Sequence, residues 1–364
     1  MNIAIITFHR AINFGGILQA YALQNVISKM GYECDILDYY CPFIEEQYRS
    51  RKVFSKIQMK RFISSILRNG NIKRNNAGFF QFTKRYLKLS EKTYMPDNIK
   101  EANKIYDIFI TGSDQVWSPT CAGFDKNYFL DFVDNNKTKM SYAASFGGTL
   151  IPNDLTEEYR KRLETFSSIS VRERSGIKII NNLLHKKAEL VIDPTLLLEK
   201  DKWSEEFMTA KKTTNKYVLI YMISEDKELI ECAKKYAKEN DLEVLYINDR
   251  IYKTRGVNNL RKVNPDMWVS LFLNAQCVFT NSFHGVAFAI NFEKEFYVFK
   301  LKQNINVNER IYNILNMFEL DERIISEFDN IKKVKKMNLK KNKELLNDYR
   351  IKSIEYLKKS IEGK

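Results

Sequence analysis

Apolar and polar positions along the chain follow two alternating periods. Ile3–Phe8 is an almost unbroken apolar run, the pattern of a strand covered on both faces, and Ile17–Met30 repeats apolar side chains at helical spacing. With Glu33–Tyr39 as a second strand, these segments make a βαβ unit. Short strands are predicted again at Ile105–Thr111, Met140–Ala144, Ser168–Val171 and Leu190–Ile192, with helices at Asp154–Phe166 and Arg174–Leu184. Asp193-Pro194-Thr195 then halts the alternation, and the polar stretch Ala210–Lys216 reads as a linker. A second set follows, with strands predicted at Tyr217–Ile223, Glu243–Ile247, Gln276–Thr280 and Phe296–Phe299. Its helices are expected at Asp226–Glu239, Pro265–Ala275 and Gly285–Phe292. Leu346, Tyr349, Ile354, Leu357 and Ile361 mark a last helix, placed to cross back over the first set.

This alternation implies an α/β fold of two Rossmann-like parallel-sheet domains facing a cleft, followed by a C-terminal helical tail. The 364 residues also exceed what one core usually organises. We place an N-terminal domain at 1–200 with a basic insertion at 47–90, a C-terminal domain at 201–330, and a lysine-rich helix at 331–364. Ligands of such sheets bind beyond the carboxyl ends of the strands, so candidate chemistry belongs in the segments that follow them.

Charge adds a second layer. The net charge is +14, yet twelve Lys or Arg and no acid fall between Gln47 and Ser90, and the segment from Ile331 onward carries a net +8. The remainder is mildly acidic. Phe54, Ile57, Phe62 and Ile66 recur at helical spacing among the first group of cations. Such a helix either lies on an anionic membrane surface or packs its apolar stripe against the body. No recognition motif accompanies the charge, so nucleic acid is not an expected partner. Five scattered cysteines form neither a C-x-x-C pair nor a zinc spacing and read as reduced core thiols. No leader pattern opens the chain and no apolar run has membrane-spanning length, so the expected location is cytoplasmic, peripheral on the inner membrane face if the insertion docks there.

The chemistry-bearing residues fall where the fold class puts them. Only three histidines occur, His9, His185 and His284. His284 follows the run Cys277–Thr280 through Asn281-Ser282-Phe283, at the start of a helix; histidine is the side chain type that ordinarily titrates near neutrality, so one placed here suits proton transfer, with a purely structural ring as the competing reading. After the first strand comes Asn13-Phe14-Gly15-Gly16, where glycines let backbone N–H groups approach an anion at a helix N-terminus, unless they serve only a tight turn. The spacing is neither G-x-G-x-x-G nor a P-loop, so a dinucleotide or nucleoside-triphosphate site is not supported. Asp114 follows another strand; it can bind or deprotonate a sugar hydroxyl, or cap the next turn. Arg172 offers a planar fork for carboxylate or phosphate, or pairs with Glu173. His9 borders the glycine loop and could touch a ligand, whereas His185, among lysines, is expected to be exposed.

The chain resembles the polysaccharide pyruvyl transferases. The resemblance is carried by Asn13-Phe14-Gly15-Gly16-Ile17-Leu18-Gln19-Ala20-Tyr21-Ala22-Leu23-Gln24, Gly112-Ser113-Asp114-Gln115-Val116-Trp117 and Ser141-Tyr142-Ala143-Ala144-Ser145-Phe146-Gly147. It continues through Ser170-Val171-Arg172-Glu173, Asp193-Pro194-Thr195 and Asn281-Ser282-Phe283-His284-Gly285 to Asn308-Glu309-Arg310-Ile311. Each motif is weak alone, and their joint order is specific. The basic insertion and the lysine-rich tail fall outside it. What the resemblance implies is a fold like the two-domain glycosyltransferases called GT-B, and transfer of a pyruvyl group from phosphoenolpyruvate to a sugar of a cell-surface polysaccharide or its lipid-linked precursor. Beyond that donor, no cofactor and no metal are expected. By the same carry-over, His284 matches the catalytic histidine and Arg172 the arginine that holds the donor; Asp114 is expected, from its chemistry, to orient or deprotonate the acceptor hydroxyl. Asn13, Gly15, Gly16, Gln19, Ser113, Gln115, Asn281, Ser282 and Arg310 are expected to line the substrates. A glycosyltransferase using a nucleotide sugar and a non-catalytic glycan-assembly scaffold remain open beside this reading.

Overall fold

The computed structural model describes residues 1–48, 77–208, 216–250, 252–301 and 305–363. Among them, β1 (Asn2–Ile6), β2 (Glu33–Tyr39), β3 (Leu89–Tyr94), β4 (Ile108–Thr111) and β5 (Thr138–Ser141) form a wholly parallel sheet in the order β3-β2-β1-β4-β5. β6 (Ser170–Val171) and β7 (Glu189–Leu190) pair with each other and join the β5 edge through single bridges, Met140 to Ser168 and Ala144 to Val171. The second sheet contains β8 (Tyr217–Tyr221), β9 (Glu243–Ile247), β10 (Asn258–Leu260), β11 (Cys277–Thr280) and β12 (Glu295–Val298), also parallel, in the order β10-β9-β8-β11-β12. The two Rossmann-like halves thus share one winding, and each reverses its strand order once, between β1 and β4 and between β8 and β11. Crevices open at such reversals because consecutive connections leave to opposite faces of the sheet.

Helix ends follow local chemistry. The helix Phe14–Lys29 starts earlier than its apolar periodicity suggests because Asn13 caps it, Oδ1 accepting from Gly16 N at 3.2 Å. Ser282 does the same for the helix Phe283–Asn291, accepting from Gly285 N at 3.4 Å, which brings His284 inside the first turn.

One apolar core spans both halves. Ile3 and Ile5 of β1 belong to it together with Leu219, Val278 and Val286 of the second half. Phe14 stacks on Trp268 with ring centroids 5.6 Å apart, and Tyr21 meets Trp203 at 5.5 Å. The opposite face of the first sheet, with Ala4, Ile6 and Phe109, has a separate core.

The last helix, Leu339–Glu362, returns over the first half. Tyr356 Oη donates to Ser141 O at 2.9 Å, and Ser353 Oγ accepts from Ile192 N at 3.1 Å. Arg350 in the same helix donates to Leu196 O (2.7 Å) and to Asn291 Oδ1 of the second half (2.8 Å). Among the described residues no helix is long and apolar enough to cross a membrane. The amphipathic pattern at Phe54–Ile66 and the linker expected at Ala210–Lys216, save Lys216 itself, lie outside the described residues. The end of the basic insertion is helical over 77–86 and leads into β3, an edge strand of the first sheet.

Candidate active site

The segments following β1, β4 and β11, with the loops after β6 and β7, supply the candidate residues. At the first reversal Gln19 ties the strand ends together. Its Nε2 donates to Thr7 Oγ1 (2.7 Å) and Gly16 O (2.8 Å), and its Oε1 accepts from Ser113 N (3.0 Å). Gln19 is fully enclosed, so it shapes the site and presents nothing to a ligand. Asn281 does similar work at the second reversal, donating to Ser224 O at 2.6 Å and accepting from Ile223 N at 2.9 Å. The cap of Asn13 on Gly16 and that of Ser282 on Gly285 orient the two helices that enter the site. Gln115 lies beside Gly147 at the rim.

Asp114 is held with φ at +73°, in the left-handed region, directly after β4. Strain of this kind persists only where surroundings enforce it. Here Val116 N and Ser145 N both donate to Asp114 O, at 2.8 and 3.0 Å.

Arg172 is the hub of the buried charges. Its guanidinium lies 2.6 Å from Asp193 Oδ2, 3.2 Å from Glu173 Oε1 and 3.4 Å from Asp114 Oδ1, and only 2 % of the residue is exposed. Burial would depress its pKa, but Glu173, Asp193 and Asp114 more than reverse that and keep it charged. Three carboxylates on one guanidinium leave Arg172 satisfied without a ligand. Arg310, on the helix Ile305–Met317, is the opposite case. It is buried, its Nε has no hydrogen-bond partner, and among the described residues it makes no ion pair. Burial, reinforced by repulsion from Arg172, lowers its pKa. Both guanidinium carbons lie near the Phe283 ring, Arg172 at 4.3 Å and Arg310 at 6.0 Å from its centroid. Asn313, one turn after Arg310, donates to Arg172 O at 3.1 Å and so links this helix of the second half to the β6 loop.

His284 enters from the second half and meets the first. Its Nε2 is buried, lacks a hydrogen-bond partner, and stands 3.7 Å from Asp193 Oδ2. A Cβ added to Gly15 would land on the His284 imidazole. Gly15 therefore gives close approach to a ring, where the sequence had suggested approach to an anion.

Asp193 is the residue that sequence reasoning missed. In the sequence it marks only the end of a pattern, yet its carboxylate touches Arg172, faces His284, receives Ser113 Oγ at 3.4 Å, and accepts from Thr195 N and Oγ1 at 3.0 and 2.8 Å. Burial alone would raise this carboxyl; His284 and Arg172 override it and hold it well below the usual carboxylate range. Its place in a motif of the resemblance was the available signal.

His9 is engaged on both ring nitrogens, by Thr7 O at 3.2 Å and Asp38 Oδ1 at 3.1 Å, with Arg10 on the same carboxylate at 2.6 Å. His185 is an exposed cap of the helix Arg174–Leu184, with φ at +52°. Among the described residues no cluster of His, Cys, Asp and Glu has the form of a metal site.

A family model for polysaccharide pyruvyl transferase matches residues 13–302, a span that holds Asp114, Arg172, Asp193 and His284. The chain belongs to the polysaccharide pyruvyl transferase family. No curated protein matches it in sequence. Among solved structures, this pyruvyl transferase family member is similar to UDP-GlcNAc 2-epimerase from Neisseria meningitidis, at 9 % identity over 97 % of this chain and 94 % of that one, with a TM-score of 0.47. UDP-GlcNAc 2-epimerase from Methanocaldococcus jannaschii gives 13 % identity over 96 % and 94 %, TM-score 0.47. The glycosyltransferase SnogD from Streptomyces nogalater gives 8 % over 100 % and 98 %, TM-score 0.46.

Proposed function

We propose that the protein transfers the pyruvyl group of phosphoenolpyruvate to two hydroxyls of a sugar in a cell-surface polysaccharide or its lipid-linked precursor, forming a ketal and releasing phosphate. What supports this reading most is one juxtaposition: an imidazole nitrogen of His284 without a hydrogen bond, and a buried guanidinium on Arg310 that makes no ion pair among the described residues, both beside Phe283. An acid–base group beside a guanidinium that makes no ion pair among the described residues suits a donor that is a polyanion and must be protonated on carbon.

In this mechanism the His284 imidazolium, steadied by the Asp193 carboxylate, gives its proton to the methylene carbon of the donor. The adjacent carbon becomes an oxocarbenium-like centre. A sugar hydroxyl adds to it and returns a proton to His284. A neighbouring hydroxyl then displaces phosphate, which leaves with that hydroxyl's proton, and the ketal closes. Arg310 binds the donor's phosphate or carboxylate, and Arg172 holds Asp114, Glu173 and Asp193 in place. Asp114 orients the acceptor hydroxyl.

The cationic segment 47–90 fits an acceptor anchored at an anionic membrane surface. Replacing Arg49, Arg51, Lys52 and Lys56 by Gln is expected to reduce sedimentation with anionic liposomes, and unchanged sedimentation would remove the membrane from this account.

Thermal-shift titration tests the donor assignment, because a ligand bound only by the native state raises its stability. Phosphoenolpyruvate is expected to raise the melting temperature in proportion to the logarithm of its concentration, and Arg310→Gln to abolish the rise. A rise with uridine diphosphate alone would transfer the assignment to a nucleotide-sugar glycosyltransferase.

A further inference from the structure

A cavity of about 550 Å³ lies on the flank of the first sheet that carries the separate core, between the 3-10 segment Ile99–Lys104 and the helix Thr156–Leu163. Its floor is apolar, from Pro96, Ile99, Phe132 and Val133, and its charged rim is mostly cationic. The alternation of β5 decides the central feature. Met140 faces the core shared by the two halves, so Lys139, one residue earlier, faces the opposite side and enters the cavity wall.

Lys139 is only 6 % exposed, and no carboxylate lies within ion-pair distance of it among the described residues. Asp131 and Asp134 are near enough to favour its charge, but burial outweighs them and lowers its pKa. Buried cations are ordinarily paired. The rim shows that pairing was available and went elsewhere: Arg162 takes Asp131 at 3.3 Å and Glu158 at 3.2 Å, and Lys100 takes Asp134 at 3.5 Å. Among the described residues Lys126 and Lys161 on the same rim make no ion pair.

We propose that this cavity is a second ligand site, taking a small phosphate-bearing molecule whose anion is held by Lys139, Lys126 and Lys161. Three ammonium groups are point charges that suit a tetrahedral anion approached from several directions. A planar carboxylate would want a guanidinium fork, and that of Arg162 is already in use. The volume lies in the usual range of small-molecule pockets, and the apolar floor fits the carbon skeleton of such a ligand. The site is independent of the pyruvyl-transfer reading, since none of its residues belongs to the cleft.

The test is calorimetric titration of inorganic pyrophosphate into the full chain carrying Arg310→Gln, so that the Arg310 guanidinium of the cleft does not contribute, and into the same protein with Lys139→Met. Methionine keeps most of the lysine stem and adds no charge, so the unliganded melting temperature is expected to stay level or rise. Pyrophosphate is expected to bind the parent, and Lys139→Met to weaken it about tenfold or more. The surface pair Lys126→Gln with Lys161→Gln, which perturbs no packing, is expected to weaken it too and carries the test if Lys139→Met does not fold. Citrate is expected to bind less tightly than pyrophosphate. Equal affinity in parent and variants overturns the site, as does heat that sodium chloride at matched ionic strength removes; a lysine that merely extends its ammonium to water would give those results. Tighter binding of citrate overturns the phosphate assignment.

Discussion

The imidazole of His284 occupies the space where a side chain on Gly15 would begin. The first helix of one half and the first helix turn after β11 of the other therefore meet at a glycine and a histidine, with no room for a methyl group. Gly15→Ala is expected to displace the ring and lower pyruvyl-transfer turnover by about a hundredfold, with a stability loss of about 1–3 kcal/mol, the ordinary cost of overpacking. Turnover close to that of the parent would show that the ring's position does not matter.

His284→Asn is expected to separate binding from chemistry. The donor's cationic contacts remain, so the thermal shift with phosphoenolpyruvate should persist, while phosphate release under turnover falls by about 10²–10⁴, the usual contribution of a positioned acid–base group. Loss of the thermal shift together with turnover would move His284 from proton transfer to donor binding.

Arg172 and Arg310 predict opposite outcomes for the same substitution. Arg172→Gln leaves three buried carboxylates facing one another and is expected to cost about 3–5 kcal/mol in urea unfolding, as for any broken buried ion network. Arg310→Gln removes a buried charge with no described counter-ion. Stability is expected to hold or rise, and donor affinity to fall.

Asp193 gives the pH dependence. Its carboxyl is held below the usual range in the folded protein, so the stability it contributes is fully present above the unfolded value, near 4, and is lost as pH falls through the depressed folded value. Asp193→Asn is expected to destabilise the protein most at pH 7, and the gap between the two urea midpoints should narrow as pH falls below about 4. A gap that does not change with pH would mean that the carboxylate contributes by shape alone.

The central strands were readable because burial on both faces demands continuous apolar residues. β2, β9 and the helix Arg174–Leu184 begin and end where the pattern places them. β3 and β10 were not found, because Ser90-Glu91-Lys92-Thr93 and Asn258-Asn259 carry the polar side chains an edge strand tolerates, and no periodicity separates them from loops. At the site, the position of His284 after β11 was legible, since a strand-to-helix turn has a local signature. The role of Asp193 was not, because its partners Arg172, Ser113 and His284 are 21, 80 and 91 positions away and only the folded sheets bring them together. The same distance hides the difference between Arg172 and Arg310: two arginines look alike in sequence until their neighbours can be counted.

The last helix has a mechanical consequence. Arg350 holds carbonyls of Leu196 and Leu198 and the side chain of Asn291, while Tyr356 holds Ser141, so one rod is fastened to both halves at separate points. Swinging the halves apart like a clam would break several of these bonds at once, along with the apolar core they share. Adjustment to substrates is then expected to be small and local, in side chains such as His284 and Arg310. Heating should melt the two halves together, as a single cooperative transition in calorimetry.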